Sequence, residues 1–236
     1  MSGSFSARPR RSPFGVALLR SHSGSLQSEK ISRSHALVLG WNDYRMRNIE
    51  VKWFQSFEEI KGYLLTRIPN DASVGIGNSQ TLHSFGITEA LLKTGNAVYD
   101  KELGKTRKEI RGLKRKALLS DYYISGANAV SMDGRIVNID HSGNRVAALA
   151  YGPDKVFIVV GKNKKTATCE EAVQRARRTA APLNAKRAGY QPPCIVAGHC
   201  VDCLSAERVC NIVSIIEGQL VKGRIVLLIA GENAGY

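Results

Sequence analysis

The chain has 236 residues, a formal charge of +14 at pH 7 and 43% apolar residues. That length suffices for one sizeable core with appendages, and no apolar run approaches the roughly 20 residues that would carry a helix across a bilayer. The charge first suggests polyanionic partners, but it gathers in the N-terminal tail and on two amphipathic helices, where basic runs are solvated faces; with no aromatic platforms beside them, nucleic-acid binding is disfavoured.

Residues 1–45 are rich in Ser and Arg and have no acid before Glu29. This composition fits a transit peptide, a disordered tail or sequence upstream of a start at Met46. The pair Arg10–Arg11 resembles a twin-arginine signal, but the stretch FGVALL is too short for its apolar region. Export is therefore disfavoured, and a cytoplasmic protein is expected.

From residue 49 strands and helices alternate. IEVKWF (49–54) reads as a strand, and Ser56 with Glu59 makes a capping box for a helix ending near Arg67. SVGIG (73–77) is a short buried strand, followed by a broken helix over 81–94 and the strand NAVYD. Thr106 with Glu109 caps the basic helix, in which Ile110, Leu113, Ala117 and Leu118 mark the apolar stripe. DYYIS (121–125) leads into a hairpin turning at Met132-Asp133-Gly134. GNRVAALAYG is helical, KVFIVVG (155–161) is an apolar strand, Thr168 with Glu171 caps another helix, and RIVLLIA (224–230) is the last strand. Continuous apolar strands alternating with helices predict one α/β domain over 46–236, a mostly parallel sheet covered by helices on both faces.

Ligands in such sheets bind at the strand carboxyl ends. The loop GIGNSQTL (75–82) is one candidate. Gly75 and Gly77 would let the backbone approach a ligand, and Asn78, Ser79 and Thr81 offer polar groups at a helix entrance. A plain tight turn capped by Asn78 or Ser79 explains the same residues. The second candidate spans 125–153, where Asn128 ends a strand and Asp140, Asn144 and Arg145 sit at another helix entrance. Arg145 is suited to clamping an acid group bidentately, with Asp140 either orienting it or capping the helix. His141 has a suitable pKa for proton transfer, although a lone loop histidine is more often structural.

Four of the five cysteines, Cys194, Cys200, Cys203 and Cys210, fall within the segment 190–211 in the spacing C-x5-C-x2-C-x6-C. Such crowding points to a zinc site or an iron–sulfur cluster, with a reversible dithiol or inert thiols as alternatives. His199 lies beside the cluster and is a further ligand candidate, or a solvated loop residue. Cys169 stands apart.

These segments together resemble the LUD domain, the lactate-utilisation family that includes lactate-utilisation protein C. The matching stretches are G-x-G-N-S-x-T-L (75–82), S-G-A-N-A (125–129), D-G-R-I-V-N-I-D (133–140), and G-N-R-V-A-A with Y-G-P (143–153). V-V-G-K-N-K (159–164), A-P-L-N-A-K-R (181–187), the cysteine segment and the terminal G-E-N-A-G-Y complete the set. The resemblance implies a Rossmann-like three-layer α/β/α sandwich of the sugar-isomerase and CoA-transferase-like superfamily. It also implies an accessory or redox role in oxidising lactate or a related 2-hydroxy acid to the keto acid, beside iron–sulfur oxidoreductase subunits. A small acidic metabolite is the expected ligand, and a homo-oligomer is compatible. The alternative is an isomerase, transferase or ligase acting on a phosphorylated or CoA-linked substrate. Many relatives carry a glutamate where this chain has Ser84, which weakens that alternative and leaves Asp140 as the remaining acid.

Overall fold

The computed structural model describes residues 42–236. The reading of the tail therefore falls outside the described residues except at its last few positions. There a helical turn over 42–46 precedes the first strand.

Six strands form a parallel sheet in the order β1-β10-β7-β4-β2-β3. They are β1 (Glu50–Phe54), β2 (Ser73–Ile76), β3 (Ala97–Asp100), β4 (Tyr122–Gly126), β7 (Lys155–Gly161) and β10 (Ile225–Ala230). Alternate residues of the central strands go to opposite faces, as the two-residue period of a strand requires. Phe157 and Val159 of β7, with Val226, Leu228 and Ala230 of β10, join one apolar layer; Val156, Ile158 and Val160, with Ile225, Leu227 and Ile229, join the other. Burying such side chains on both faces contributes roughly 1.5–3 kcal/mol each.

The first layer is covered by α1 (Phe57–Arg67), α2 (Gln80–His83) and α3 (Ile87–Lys93). Ser56 Oγ accepts from the Glu59 amide at 3.2 Å, while the Glu59 carboxylate accepts from Gln55 N, one residue before the capping box would place it. The opposite layer is covered by α4 (Arg107–Ala117), α5 (Asn144–Ala150) and a second sheet. At Thr106 the capping box is complete. The described residues thus form an α/β/α sandwich within one compact unit.

The second sheet has the order β8-β5-β6-β9, with β5 (Ala129–Ser131), β6 (Ile136–Asp140), β8 (Lys165–Thr166) and β9 (Ile212–Ile216). The hairpin β5–β6 was legible in sequence; its extension by β8 and β9 was not. Its outer face packs Ala129, Val137 and Ile139 on Ala172, Ala176 and Ala181 of a long helical run. That run comprises α6 (Cys169–Arg175), a π-helical turn (Ala176–Ala180) and α7 (Ala181–Arg187). Pro182 has no N–H for the carbonyl four residues back, so the helix widens there, and the Ala181 amide bonds to Ala176 O. A last short helix, α8 (Cys194–Ala197), opens the cysteine segment.

Tyr44 is fully buried beside Ile136, Val156 and Ile225, and its hydroxyl donates to Ser131 O and Arg135 O, both at 2.9 Å. A boundary at Met46 therefore cuts off a core residue. Tyr44→Ala should cost about 3–5 kcal/mol, and a chain starting at Met46 should lose a comparable amount relative to one that retains residues 42–45. Equilibrium urea unfolding checks this; unchanged midpoints would show that Tyr44 contributes nothing to the core.

Candidate functional site

Going along the chain, β2 leads to β3 on one side and the chain then crosses back to β4 on the other, so the sheet reverses direction between β2 and β4. In an open parallel sheet the carboxyl ends beside such a reversal enclose a crevice. A cavity of about 470 Å³ lies there. Its walls come from residues that follow β2 (Asn78, Ser79), β3 (Lys101, Glu102), β4 (Ala127, Asn128) and β7 (Lys164), from the β6–α5 connection and from α7. This volume suits a small metabolite.

The charge of the walls is one-sided. Lys101, Lys114, Arg145, Lys164 and Arg187 face the cavity, against two acids, Glu102 and Asp140. Glu102 pairs with Lys101 at 3.2 Å. Asp140 is engaged by backbone: its carboxylate accepts from the amides of His141, Arg145 and Val146 at 2.8, 2.9 and 3.1 Å. It caps α5, which has no other side-chain cap, and it fills the helix entrance that sequence reasoning offered to a ligand.

Arg145 does not pair with Asp140. Its Nη2 donates to Ile139 O at 2.6 Å and to Asn128 Oδ1 at 3.1 Å, while its buried Nε has no partner among the described residues. Asn128 is the hinge of this arrangement. Its Oδ1 also accepts from the Ile139 amide at 2.8 Å, so one side chain aligns the end of β6 with the guanidinium. No carboxylate of the described residues lies within 4 Å of the Arg145 guanidinium nitrogens. A guanidinium held only by neutral acceptors keeps its capacity for an incoming anion.

The other cations also rest on neutral acceptors, Lys101 in addition to its pair with Glu102. With its carbonyl oxygen turned to the cavity, the orientation that gives the cations an acceptor, Asn78 accepts from Lys101 Nζ at 3.0 Å and Arg187 at 3.3 Å. Arg187 also donates to Asn184 Oδ1 at 3.0 Å and Lys114 Nζ to Ser142 Oγ at 3.1 Å. Burial lowers the Lys114 pKa, the Lys101 charge lowers it further, and Asp140 opposes both. Ser142 in turn donates to Asn144 Oδ1 at 2.7 Å. His141 packs edge-on against Tyr190 with ring centroids 5.0 Å apart, closing one side.

Of the residues singled out in sequence, Asn78, Ser79, Asn128, Asp140, Asn144 and Arg145 line this one cavity. Gly75, Gly77 and Thr81 lie behind it. A Cβ at Gly75 would stand 2.7 Å from the Tyr123 ring, and one at Gly77 would stand 2.7 Å from Ser125 Oγ. Both glycines thus admit β4 beside β2 rather than a ligand. Thr81 is buried and supports Lys164, accepting from its Nζ at 3.1 Å.

Lys164, Lys101, Lys114 and Arg187 were missed, because basic residues in a chain this cationic read as solvated. The signal available for Lys164 was its place three residues after the apolar run of β7, at a strand carboxyl end. It is only 3% exposed, and its Nζ donates also to Ala127 O at 3.1 Å. Burial, then the charges of Arg175 and Arg145, pull its pKa down from 10.5 to about 7. Arg175 closes the group from behind, donating to Asn163 O at 3.2 Å and to Asn128 O. The terminal segment packs on the same loop: Asn163 Oδ1 accepts from Ala234 N and its Nδ2 donates to Gly235 O, both at 3.2 Å, and Tyr236 reaches the cavity wall.

The cysteine segment contributes Tyr190 and Val209 to the cavity wall, whereas none of its cysteines lines it. Cys194, Cys200, Cys203 and Cys210 are free thiols, each half-buried. Burial raises the Cys194 pKa, and the neighbouring Cys203, Cys210 and Cys200 add to the rise. Arg208 donates to Cys210 O at 3.3 Å and contacts its Sγ at 3.6 Å; His199 Nδ1 instead meets Ala197 O at 2.8 Å. Among the described residues no three His, Cys, Asp or Glu side chains are gathered as a metal-ligand set.

Fold and cavity together define a Rossmann-like sandwich with an electropositive crevice at its switch point. The LUD domain profile matches residues 42–230, and the chain belongs to the LUD domain family, which is associated with lactate utilisation. The crystal structure of a DUF162 family protein from Deinococcus radiodurans is similar at 18% identity and a TM-score of 0.46, over 85% of this chain and 97% of that one. No curated protein matches significantly. Among the described residues no helix is long and apolar enough to cross a membrane.

The depressed Lys164 pKa gives a pH-dependent stability. Below about pH 7 both folded and unfolded chains hold the proton, and the full cost of burying the cation, a few kcal/mol, falls on the fold. Between about pH 7 and 10.5 only the unfolded chain holds it, so this penalty fades as pH rises. Lys164→Met should therefore stabilise the protein more at about pH 6 than at about pH 9.5. Urea unfolding at the two pH values measures the difference; an equal effect at both would show that Lys164 keeps an ordinary pKa.

Proposed function

We propose that the cavity binds a small acidic metabolite, a 2-hydroxy acid or its keto acid, and that the chain serves as an accessory subunit in that oxidation. The observation that carries this reading is Arg145, a guanidinium facing the cavity with neutral partners only and no carboxylate of the described residues within ion-pair distance. Three further cations around it, Lys101, Lys114 and Arg187, repel one another, and a bound anion would relieve that repulsion. Membership of the LUD family supports the lactate-type acid and iron–sulfur oxidoreductase partners.

A second reading, a phosphorylated or CoA-linked substrate, is favoured by the size of the cavity and the number of its cations. Lactate needs one carboxylate partner and fills a small part of 470 Å³. Titrating lactate, pyruvate and sugar phosphates separates the two. An Arg145–anion pair contributes roughly 1.5–3 kcal/mol, so Arg145→Ala should weaken the preferred ligand about ten- to a hundredfold. Equal affinity for both proteins, with the fold intact, would remove Arg145 from the site.

For the cysteines we propose that Cys194, Cys200, Cys203 and Cys210, which lie near enough to one another to raise the Cys194 pKa together, take up zinc or an iron–sulfur cluster. Anaerobic purification followed by iron, sulfide and zinc analysis should return metal from the wild type and lose it in Cys200→Ser with Cys203→Ser. A metal-free protein that also fails to take up either ion would leave these residues as plain thiols.

A further inference from the structure

We propose that Lys164 captures the carbonyl carbon of an anionic oxo compound, such as a 2-oxo acid, as an imine within the cavity. This deepens the reading of the cavity as an anion site and rests on it. Lys164 closes the inner end of the cavity, and its Nζ is fixed by two neutral acceptors, Thr81 Oγ1 and Ala127 O, each at 3.1 Å. No carboxylate of the described residues is within 4 Å to hold the proton on the amine. The charged groups acting on it, Arg175 from the helix behind and Arg145 across the cavity, are both positive and favour the neutral form. An amine uncharged near neutral pH, buried, and held toward a ligand crevice has the attributes of a carbonyl-trapping nucleophile. Binding cations usually stand exposed and fully protonated. The same crevice supplies Arg145 for the acid group of such a ligand, which places recognition and capture in one volume.

The step balances without a further reagent. The Nζ lone pair forms a bond to the carbonyl carbon while the carbonyl pair moves to oxygen, which takes up a proton. The carbinolamine then loses water: the carbon–oxygen bond breaks, nitrogen gives up its proton and the carbon–nitrogen double bond closes. A 2-hydroxy acid has no carbonyl and cannot react, so it should only compete for the site.

The test uses the full chain with pyruvate and sodium cyanoborohydride, which reduces an imine to a stable secondary amine. Intact mass and peptide mapping locate the adduct, and calorimetry on the same samples without reductant reports binding. One adduct per chain is expected, on Lys164, at about tenfold or more above any other lysine at neutral pH, with lactate protecting. Labelling should rise through about pH 7, as the amine loses its proton, and not near pH 10 as for exposed lysines. Lys164→Arg should bind pyruvate and form no adduct, and Lys164→Met provides the same comparison if arginine disturbs packing. Pyruvate bound with no adduct, or an adduct spread over surface lysines, overturns the imine and leaves the anion site standing. Neither binding nor adduct, for pyruvate and for dihydroxyacetone phosphate alike, overturns both.

Discussion

Positive charge held by neutral oxygen organises the carboxyl edge of this sheet. Two like charges about 4 Å apart repel by roughly 4 kcal/mol at a protein-like dielectric, so five basic side chains around one crevice need compensation. Little of it comes from carboxylates. Arg145 rests on Ile139 O and Asn128 Oδ1, Arg175 on Asn163 O and Asn128 O, and Lys164 on Ala127 O and Thr81 Oγ1. Ala127 O, Asn128 O and Asn163 O lie just past the ends of β4 and β7, Ile139 O lies at the end of β6, and Thr81 Oγ1 comes from the short helix α2 after β2. The sheet therefore supplies the acceptors that make the crevice tolerable, and it leaves the residual charge facing inward.

Two residues convert sheet geometry into site geometry. Asn128 follows β4 and joins the main sheet to the second one: its amide donates to Val137 O, its side-chain oxygen takes the Ile139 amide, and the same oxygen holds Arg145. Asp140 ends β6 and gathers three amides, so α5 starts at a fixed angle and presents Arg145 at its first turn. The Asp140 carboxylate and the Asn128 side-chain oxygen are taken up by these partners, and both fix where a ligand would meet the guanidinium.

The main sheet was legible because its strands are nearly continuous apolar runs. KVFIVVG and RIVLLIA admit no reading but buried strands, and Ser56, Thr106 and Thr168 mark helix starts by a mechanism that acts locally. The second sheet was harder. β9 pairs through Ile212–Ile216 with β6 at a distance of more than seventy residues, and Ile212 and Ile215 of this edge strand stay largely exposed. Nothing local announces such a pairing. Arg145 and the loop at Asn78 and Ser79 were visible as polar residues at strand ends, whereas Lys164 was hidden by its chemistry. A lysine is normally solvated, and only the three-dimensional closure of Arg175 and the terminal segment over it removes the water.

The π-helical turn at 176–180 carries a consequence for the history of the site. A turn of this kind holds one residue more than the α-helical turn it replaces, and each residue of an α-helix advances the face by about 100°. Removing a single residue from this stretch would let the helix close up and would swing Asn184 and Arg187 off the crevice, while Cys169–Arg175 and the strands beneath stayed in place. The outer wall of the cavity is thus adjustable by length rather than by substitution. Relatives could exchange one set of wall residues for another through a one-residue insertion or loss, without disturbing the sheet that holds the remaining cations.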